Sequence, residues 1–195
     1  MYKRQGAITN EDIDKAEEAI KNSSIFLTQL EAPKDVVSYA LKKAHNLNVK
    51  TILNPAPAAE IDEYLFSMID YFTPNETEAS FYVDHNVETH EDAEKAAIQL
   101  LEKGIKNVVI TLGEKGAFFA NSEEKFSLPI ANLTNPVVDT TGAGDAFNAG
   151  FAAALTEGQN IKDALKFASA TAGLSTTKIG TANSMPSREE IDKLL

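Results

Sequence analysis

The sequence VVDTTGAGDAFNAGFAAAL, from Val137 to Leu155, carries the strongest structural signal in the chain. Phe147 and Phe151 lie four positions apart, so they share one face of a helix. We expect this helix to begin near Gly144 or Asp145, with glycines at its N-terminus. A helix N-terminus carries unpaired backbone N–H groups and a partial positive charge, and glycine lets a ligand approach those groups closely. The stretch therefore predicts an anion-binding site.

Asp145 is unexpected in such a site, because its carboxylate would repel a bound phosphate. Its presence therefore needs a separate chemical role. One such role is to accept the proton of a hydroxyl that attacks phosphorus. The alternative is that Asp145 is an N-cap or a first-turn acid, which stabilises a helix by about 0.3–1 kcal/mol. These residues alone leave both interpretations open. A dinucleotide fingerprint would need glycine in place of Phe147, and the Gly-Lys-Ser/Thr of a Walker A loop is absent from the sequence.

Composition narrows the class of protein. The 195 residues carry 29 acidic and 18 basic side chains, for a net charge of −11, and contain no basic block, so we expect no nucleic-acid partner. The absence of cysteine excludes disulfides and thiolate metal sites and favours a cytoplasmic location. No apolar stretch is long enough to cross a membrane, and the N-terminal sequence lacks the apolar region of a signal peptide.

Short apolar runs alternate along the chain with amphipathic segments. This alternation predicts an α/β fold with a mostly parallel sheet covered on both faces. We expect strands over residues 25–30, 49–53, 69–72, 107–113, 116–121 and 125–130, the last two as a hairpin or a sheet edge. Besides the helix of the glycine stretch, we expect helices over residues 9–22, 33–46, 61–67, 76–83, 90–103, 161–177 and 188–195.

Four polar segments directly follow predicted strands. In open α/β sheets, ligands bind at the carboxyl ends of the strands. Each segment alone is ordinary turn chemistry, but four together predict a ligand site shared with the glycine stretch. The segments are Gln29–Glu31, Asn54–Pro57, Pro74–Glu78 and Thr111–Gly113.

Three motifs occur in a fixed order relative to these strands: NETE at Asn75–Glu78, TLGEKG at Thr111–Gly116 and DTTGAGD at Asp139–Asp145. With them the chain resembles the ribokinase/PfkB family of sugar kinases, from about Thr9 to Leu195. The segments QLEAP, ILNPAPA and PNETEA extend the resemblance. It implies a ribokinase-like three-layer αβα sandwich with a mostly parallel sheet, formed by residues 1–195 as a single domain.

The resemblance also implies that the complete protein is longer than this chain. Family members begin with a further stretch, about a third of their length, that supplies the first strands, much of the sugar pocket and a β lid. We therefore expect the chain to be the C-terminal two-thirds of the family fold, truncated at its N-terminus and without the lid. Such a chain is expected to be a very poor kinase by itself and to form homo-oligomers through its uncovered sheet edge.

The implied reaction transfers phosphate from ATP to D-ribose, giving ADP and D-ribose 5-phosphate. By similarity, Asp145 is the general base that accepts the proton of the sugar's primary hydroxyl. The N–H groups of Gly142, Ala143 and Gly144 form the anion hole for the transferring phosphoryl group. Glu31 matches the glutamate with which the family contacts its sugar.

The implied cofactors are ATP, Mg²⁺ and K⁺. Asn75 and Glu78, one helical turn apart, match the motif that organises the magnesium and phosphate region. The residues matching the nucleotide site are Asn75, Thr111, Gly113, Glu114, Lys115, Gly116 and Ser169, of which Ser169 replaces the family's frequent Asn or His. The residues matching the potassium site are Asp139, the carbonyl groups of Thr141, Ser175, Lys178 and Gly180, and the hydroxyl of Ser184. Without the resemblance, Ser175–Ser184 is a helix-terminating turn.

Two other functions remain open at this point. The chain could belong to another sugar or nucleoside kinase of the same family, which would differ mainly in the sugar-binding part. It could also be a noncatalytic nucleotide-binding fragment, which would bind ATP without sugar-dependent release of ADP.

Overall fold

A computed structural model describes residues 7–195 and contains a six-stranded sheet whose strands neighbour one another in chain order. The first four strands are parallel. A turn of three residues joins the last two, and so short a connection requires an antiparallel hairpin. All six predicted strands form, and the α/β prediction is confirmed. The strands are β1 (Ile25–Gln29), β2 (Lys50–Asn54), β3 (Tyr71–Phe72), β4 (Asn107–Thr111), β5 (Ala117–Asn121) and β6 (Lys125–Leu128).

The helices follow the predicted segments with two differences. The segment predicted as one helix over 9–22 is divided at Ala16, and the segment over 61–67 is a 3-10 helix, Glu63–Met68. Two further 3-10 turns cover Gly113–Lys115 and Ala182–Ser184. The α-helices are α1 (Asn10–Lys15), α2 (Glu17–Lys21), α3 (Lys34–Asn46), α4 (Glu76–Tyr82), α5 (His90–Glu102), α6 (Ala143–Thr156), α7 (Ile161–Ser175) and α8 (Arg188–Leu194).

The chain divides into two compact units. The first contains the residues up to Leu112 together with Phe118–Phe126, and the second contains Gly113–Ala117 and Ser127–Leu195. The expectation of a single domain stays a prediction. Among residues 7–195, the longest and most apolar helices fall short of what a membrane span requires.

The core of the first unit lies on the central strands. Ile52 and Leu53 of β2 and Val108 and Ile110 of β4 are fully buried, as expected of parallel strands covered on both faces. By contrast, β1 pairs only with β2 in the part of the chain that the structure describes, and Leu27 in it is 38% exposed. The first unit therefore ends in an open strand edge.

The second unit is built on the close pairing of α6 and α7. A Cβ atom added to Gly150 of α6 would lie 2.6 Å from Oγ1 of Thr171 in α7, so only glycine permits this approach. The Thr171 hydroxyl donates to the Phe167 carbonyl in the preceding turn. The C-terminal helix α8 joins this pair through Ile191, which is buried, and through Arg188, whose guanidinium lies 4.9 Å from the Phe167 ring centre.

Candidate active site

In the first unit, side-chain amides connect the carboxyl ends of β1, β2 and β3. Gln29 Nε2 donates to Asn54 Oδ1 over 2.8 Å, and Asn54 Nδ2 donates to the Thr73 carbonyl over 2.9 Å. The backbone continues the connection, because Leu30 N–H donates to the Ala56 carbonyl. Glu31, the predicted sugar-contacting residue, follows as an exposed side chain.

The predicted magnesium residues Asn75 and Glu78 hold the start of α4 through a reciprocal capping box. Asn75 N–H donates to Glu78 Oε2 over 2.9 Å, and Glu78 N–H donates to Asn75 Oδ1 over 2.8 Å. Asn75 also pairs with Thr111 in a parallel bridge, and Thr111 N–H donates to the Pro74 carbonyl. Asn75, Glu78 and Thr111, which the sequence analysis assigns to the magnesium and nucleotide sites, thus lie close together.

Glu78 is a buried carboxyl group, with 7% of the residue exposed. Burial raises its pKa, and the hydrogen bond from Asn75 N–H opposes that rise. Within residues 7–195, no lysine or arginine forms an ion pair with Glu78. A hard cation beside the carboxylate would supply the missing positive charge, so the residues present fit the magnesium role.

Residues Gly113–Gly116 form a tight turn in the second unit. Gly116 N–H donates to the Gly113 carbonyl over 3.1 Å, and the two glycines have φ angles of +91° and +53°. A Cβ atom on Gly116 would lie 2.0 Å from the Leu128 carbonyl oxygen. Glu114 and Lys115 between them are exposed. Glycine is therefore required for the path of this predicted nucleotide loop.

The glycine stretch places Gly142 at the N-cap of α6 with a left-handed φ of 78°. The helix begins at Ala143, one residue earlier than predicted, and Gly142 rather than Asp145 is its N-cap, which corrects that part of the alternative interpretation. Apart from its own helix, no atom lies within 4 Å of where a Gly144 Cβ would stand, so the space beside Gly144 is open. Asp145 is an exposed acid in the first turn. An open N-terminus of this kind fits an anionic group.

Asp139 fixes the loop that precedes α6. Its Oδ2 accepts a hydrogen bond from Gly180 N–H over 3.0 Å, and its Oδ1 accepts one from Thr141 N–H over 2.9 Å. These bonds from Gly180 and Thr141 lower the pKa of Asp139 from 3.8 to about 2. The loop is also held by the Thr176 carbonyl, which accepts from the N–H groups of Val138 and Asp139. Asp139, Thr141 and Gly180 are thus brought together at the end of α7.

The remaining predicted potassium residues have local partners. The Ser175 hydroxyl donates to the Ala172 carbonyl and the Ser184 hydroxyl donates to the Thr181 carbonyl, so each retains oxygen lone pairs. The Lys178 ammonium pairs with Glu190. Within residues 7–195, no group of three or more His, Cys, Asp or Glu side chains could hold a metal. A cation here would depend on Asp139 and on backbone carbonyl and hydroxyl oxygens, which suits potassium.

Ser169 has a partner within the chain. Its hydroxyl oxygen accepts a hydrogen bond from Ala131 N–H over 3.2 Å. A Cβ atom on Gly173, one turn further along α7, would lie 3.0 Å from Leu133. Segment 131–133 therefore lies against this face of α7. The sequence offers no local signal for this contact, because Ser169 and Ala131 are 38 residues apart.

The low pKa of Asp139 predicts how stability depends on pH. Its ionised carboxylate stabilises the fold above its ordinary pKa of 3.8, and that contribution is lost as the pH falls toward about 2. Asp139→Asn removes the contribution. We therefore expect the difference in unfolding free energy between wild type and Asp139→Asn to be constant near neutral pH and to shrink between about pH 4 and pH 2. Urea unfolding across this range measures it, and a difference that stays constant contradicts the prediction.

The first unit thus carries a parallel sheet with polar residues at its strand ends, and the second carries a glycine-capped helix with an aspartate in its first turn. The family model for pfkB family carbohydrate kinases matches residues 2–188, and the chain belongs to this family. It is 41% identical to the ribokinase of Haemophilus influenzae over 178 residues, which are 91% of this chain and 58% of that protein. It is 35% identical to the deoxyribokinase of Salmonella typhi over 189 residues, which are 96% of this chain and 61% of that protein.

Solved structures agree with this assignment. The ribokinase of Thermotoga maritima matches with a TM-score of 0.85 and 38% identity, over 97% of this chain and 62% of that chain. The Arabidopsis thaliana ribokinase complexed with ribose and ATP matches with a TM-score of 0.88 and 35% identity, over 93% of this chain and 58% of that chain. The predicted ribokinase-like fold is confirmed. The chain spans about three-fifths of the length of these relatives.

Proposed function

We propose that the chain carries the phosphoryl-transfer machinery of an ATP-dependent ribokinase, which converts D-ribose and ATP to D-ribose 5-phosphate and ADP. The observation that carries this proposal is the start of α6, where the open Gly144 stands directly before the exposed carboxylate of Asp145. A phosphoryl transfer needs both an anion site and a nearby proton acceptor. The ribose and ATP named with the Arabidopsis relative support the choice of substrates.

In the proposed mechanism, Asp145 accepts the proton of the ribose 5-hydroxyl as that oxygen forms its bond to the γ-phosphorus of ATP. The bond between this phosphorus and the oxygen of the leaving ADP breaks in the same step. The N–H groups of Gly142, Ala143 and Gly144 stabilise the negative charge that develops on the transferring group. Donors that are already aimed at the developing charge cost no reorganisation during the reaction. The Ala143 N–H donates to the Thr140 carbonyl over 3.2 Å, so it would share its hydrogen with the phosphoryl group.

The remaining residues are proposed to bind the reactants. Glu31 contacts the sugar, and Ser169 holds segment 131–133 on the nucleotide-binding side of α7. When Mg²⁺ is bound, it neutralises phosphate charge, and Asn75 and Glu78 are the residues proposed to organise that region. The residues proposed for ATP are Asn75, Thr111, Gly113, Glu114, Lys115 and Gly116.

A second candidate substrate is 2-deoxyribose, because the Salmonella typhi relative at 35% identity is a deoxyribokinase. The two sugars differ only in the 2-hydroxyl. A site built to hydrogen-bond a hydroxyl rejects the analogue that lacks it by about 10⁴–10⁵-fold, whereas a site without such a partner does not. The ratio of the kcat/KM values for ribose and deoxyribose therefore separates the two candidates.

The test measures sugar-dependent release of ADP with ribose, deoxyribose, fructose and a nucleoside. It is performed with the 195-residue chain and with a fusion that adds the part of the Thermotoga maritima ribokinase outside the match. We expect the fusion to be the more active protein and D-ribose its best substrate, because orientation of the reactants contributes about 7–11 kcal/mol to such reactions. ATP binding without sugar-dependent ADP release in either protein would instead indicate a noncatalytic nucleotide-binding module.

We also expect potassium to activate the kinase more than sodium. The loop fixed by Asp139 directly precedes the proposed anion hole, and a cation bound there would order both. Rates are compared in potassium, sodium and a large organic cation at matched ionic strength. Equal rates in all three contradict the prediction. The residues proposed for the cation are Asp139, Thr141, Ser175, Lys178, Gly180 and Ser184.

A further inference from the structure

We propose that Asn54 is a positioning residue that sets the spacing between the segment bearing Glu31 and the start of α4 bearing Asn75. This inference rests on the proposed function, in which those two places serve the sugar and the magnesium region. Asn54 itself touches neither reactant in the proposed mechanism. Its effect would pass through its hydrogen bonds.

Asn54 is the last residue of β2 and is only 7% exposed. Both functional atoms of its amide are used, and they point to opposite neighbours in the sheet. Oδ1 accepts from Gln29 at the end of β1, and Nδ2 donates to the Thr73 carbonyl just after β3. One buried side chain therefore connects three adjacent strand ends.

The β1 side of this connection leads to Glu31. Gln29 stands two residues before Glu31, and the intervening Leu30 N–H donates to the Ala56 carbonyl over 2.9 Å. Ala56 in turn stands two residues after Asn54. The chain that leaves β1 is therefore held both by the Asn54 side chain and by the backbone that follows Asn54.

The β3 side leads to Asn75 and Glu78. Thr73 is 2% exposed, and its N–H donates to the Leu53 carbonyl over 3.0 Å. It stands two residues before Asn75, whose backbone and side chain form the capping box with Glu78. A shift of Thr73 would therefore move the N-cap of α4 and the buried carboxylate.

The amide of Asn54 serves both sides at once, because it combines an acceptor and a donor. In Asn54→Asp, an ionised carboxylate still accepts from Gln29 but presents an oxygen to the Thr73 carbonyl, so only the β3 side is broken. In Gln29→Met, the donor to Asn54 is removed and the β3 side remains. In Asn54→Leu, both sides are lost. The three variants thus separate the two connections.

Asn107 offers a matched control at the opposite end of the same sheet. It is the first residue of β4, its Nδ2 donates to the Asp70 carbonyl over 2.8 Å, and its Oδ1 accepts from Asn121 over 3.1 Å. It is therefore also an amide that bridges neighbouring strands. Asn107→Asp should lower stability without changing the kinetic constants of the kinase.

The kinetic test introduces each substitution into whichever protein, the 195-residue chain or the fusion, releases ADP in a sugar-dependent reaction. We expect Asn54→Asp to raise the Mg²⁺ concentration for half-maximal rate by ~10-fold and to leave the sugar KM within about twofold. We expect Gln29→Met to raise the sugar KM by ~10-fold and to leave the Mg²⁺ dependence within about twofold. Asn54→Leu should show both changes. The proposal is overturned if Asn54→Leu leaves both constants within about twofold of wild type, or if Asn107→Asp shifts them as much.

Amide hydrogen exchange in the 195-residue chain tests the positioning without any turnover. In Asn54→Leu, we expect faster exchange at Leu30, at Glu78 and at Thr111, whose N–H donates to Pro74, while Asn107→Asp leaves these amides as in wild type. Unchanged exchange in Asn54→Leu, or equal changes in both variants, overturns the positioning role. If wild type releases no ADP with any sugar, the proposed function fails, and the exchange result still decides the role of Asn54.

Discussion

Asp145→Asn is expected to lower the turnover number of the kinase by about 10²–10⁴-fold and to change the dissociation constant of ATP by only a few-fold. A proton acceptor acts in the transition state, so its loss reduces the rate of the chemical step and hardly affects ground-state binding. Asn has nearly the same shape as Asp, so the geometry of the first turn of α6 is preserved. Steady-state kinetics and calorimetric titration with ATP provide the two measurements.

Asp163→Asn is the matched control, because Asp163 is the third residue of α7 just as Asp145 is the third residue of α6. Both are exposed acids in the first turn of a long helix, and both complement the helix dipole. If Asp145 served only that purpose, neither substitution would change turnover. Asp163 also pairs with Lys166 and accepts a hydrogen bond from Asn160 Nδ2, so its substitution controls for turnover and is not matched in its cost to stability. An Asp145→Asn protein that keeps more than about a tenth of wild-type turnover contradicts the role of general base.

Gly116→Ala is expected to lower the free energy of unfolding by about 3–5 kcal/mol. The new Cβ would stand 2.0 Å from the Leu128 carbonyl oxygen, and the backbone there has a φ of +91°. Because the obstacle is backbone, no change of side-chain rotamer relieves the clash. Chemical denaturation of the two proteins measures the loss, and weaker ATP binding should accompany it.

Gly158→Ala separates the two causes of the stability loss at Gly116, which are the clash with the Leu128 carbonyl and the strain of a left-handed backbone. Gly158 also has a left-handed φ, +79°, but no atom lies within 4 Å of its missing Cβ. This substitution therefore introduces backbone strain alone, and we expect a cost of about 1 kcal/mol. Equal losses at Gly116 and Gly158 would show that the contact with Leu128 adds nothing.

The elements of the fold were predictable because their signals are local. The spacing of apolar residues located each long helix to within a few residues, and capping residues such as Thr89 and Ser187 mark helix starts directly. The interruption at Ala16 was not predictable. Its N–H donates to the carbonyls of both Asp12 and Ile13, and this tightening of the last turn of α1 follows from no residue preference, since alanine favours helices.

The candidate site was predictable only in part, because only some of its contacts join residues that are close in sequence. Motif positions and the capping box between Asn75 and Glu78 depend on residues three apart, which the sequence displays. The contact of Asn54 with Thr73 spans 19 residues, and that of Gln29 with Asn54 spans 25. Such contacts depend on the register of neighbouring strands, which no single segment specifies.

Within residues 7–195, β1 pairs with a neighbouring strand on one side only, and this affects the stability that is measured for the chain in solution. An unpaired strand edge presents a row of N–H and carbonyl groups to which a second copy can add a strand. If copies associate there in the folded state only, mass action makes the apparent stability rise with protein concentration. We therefore expect the urea midpoint of the 195-residue chain to increase with concentration, and Leu27→Lys, which places a charge on that strand, to abolish the increase.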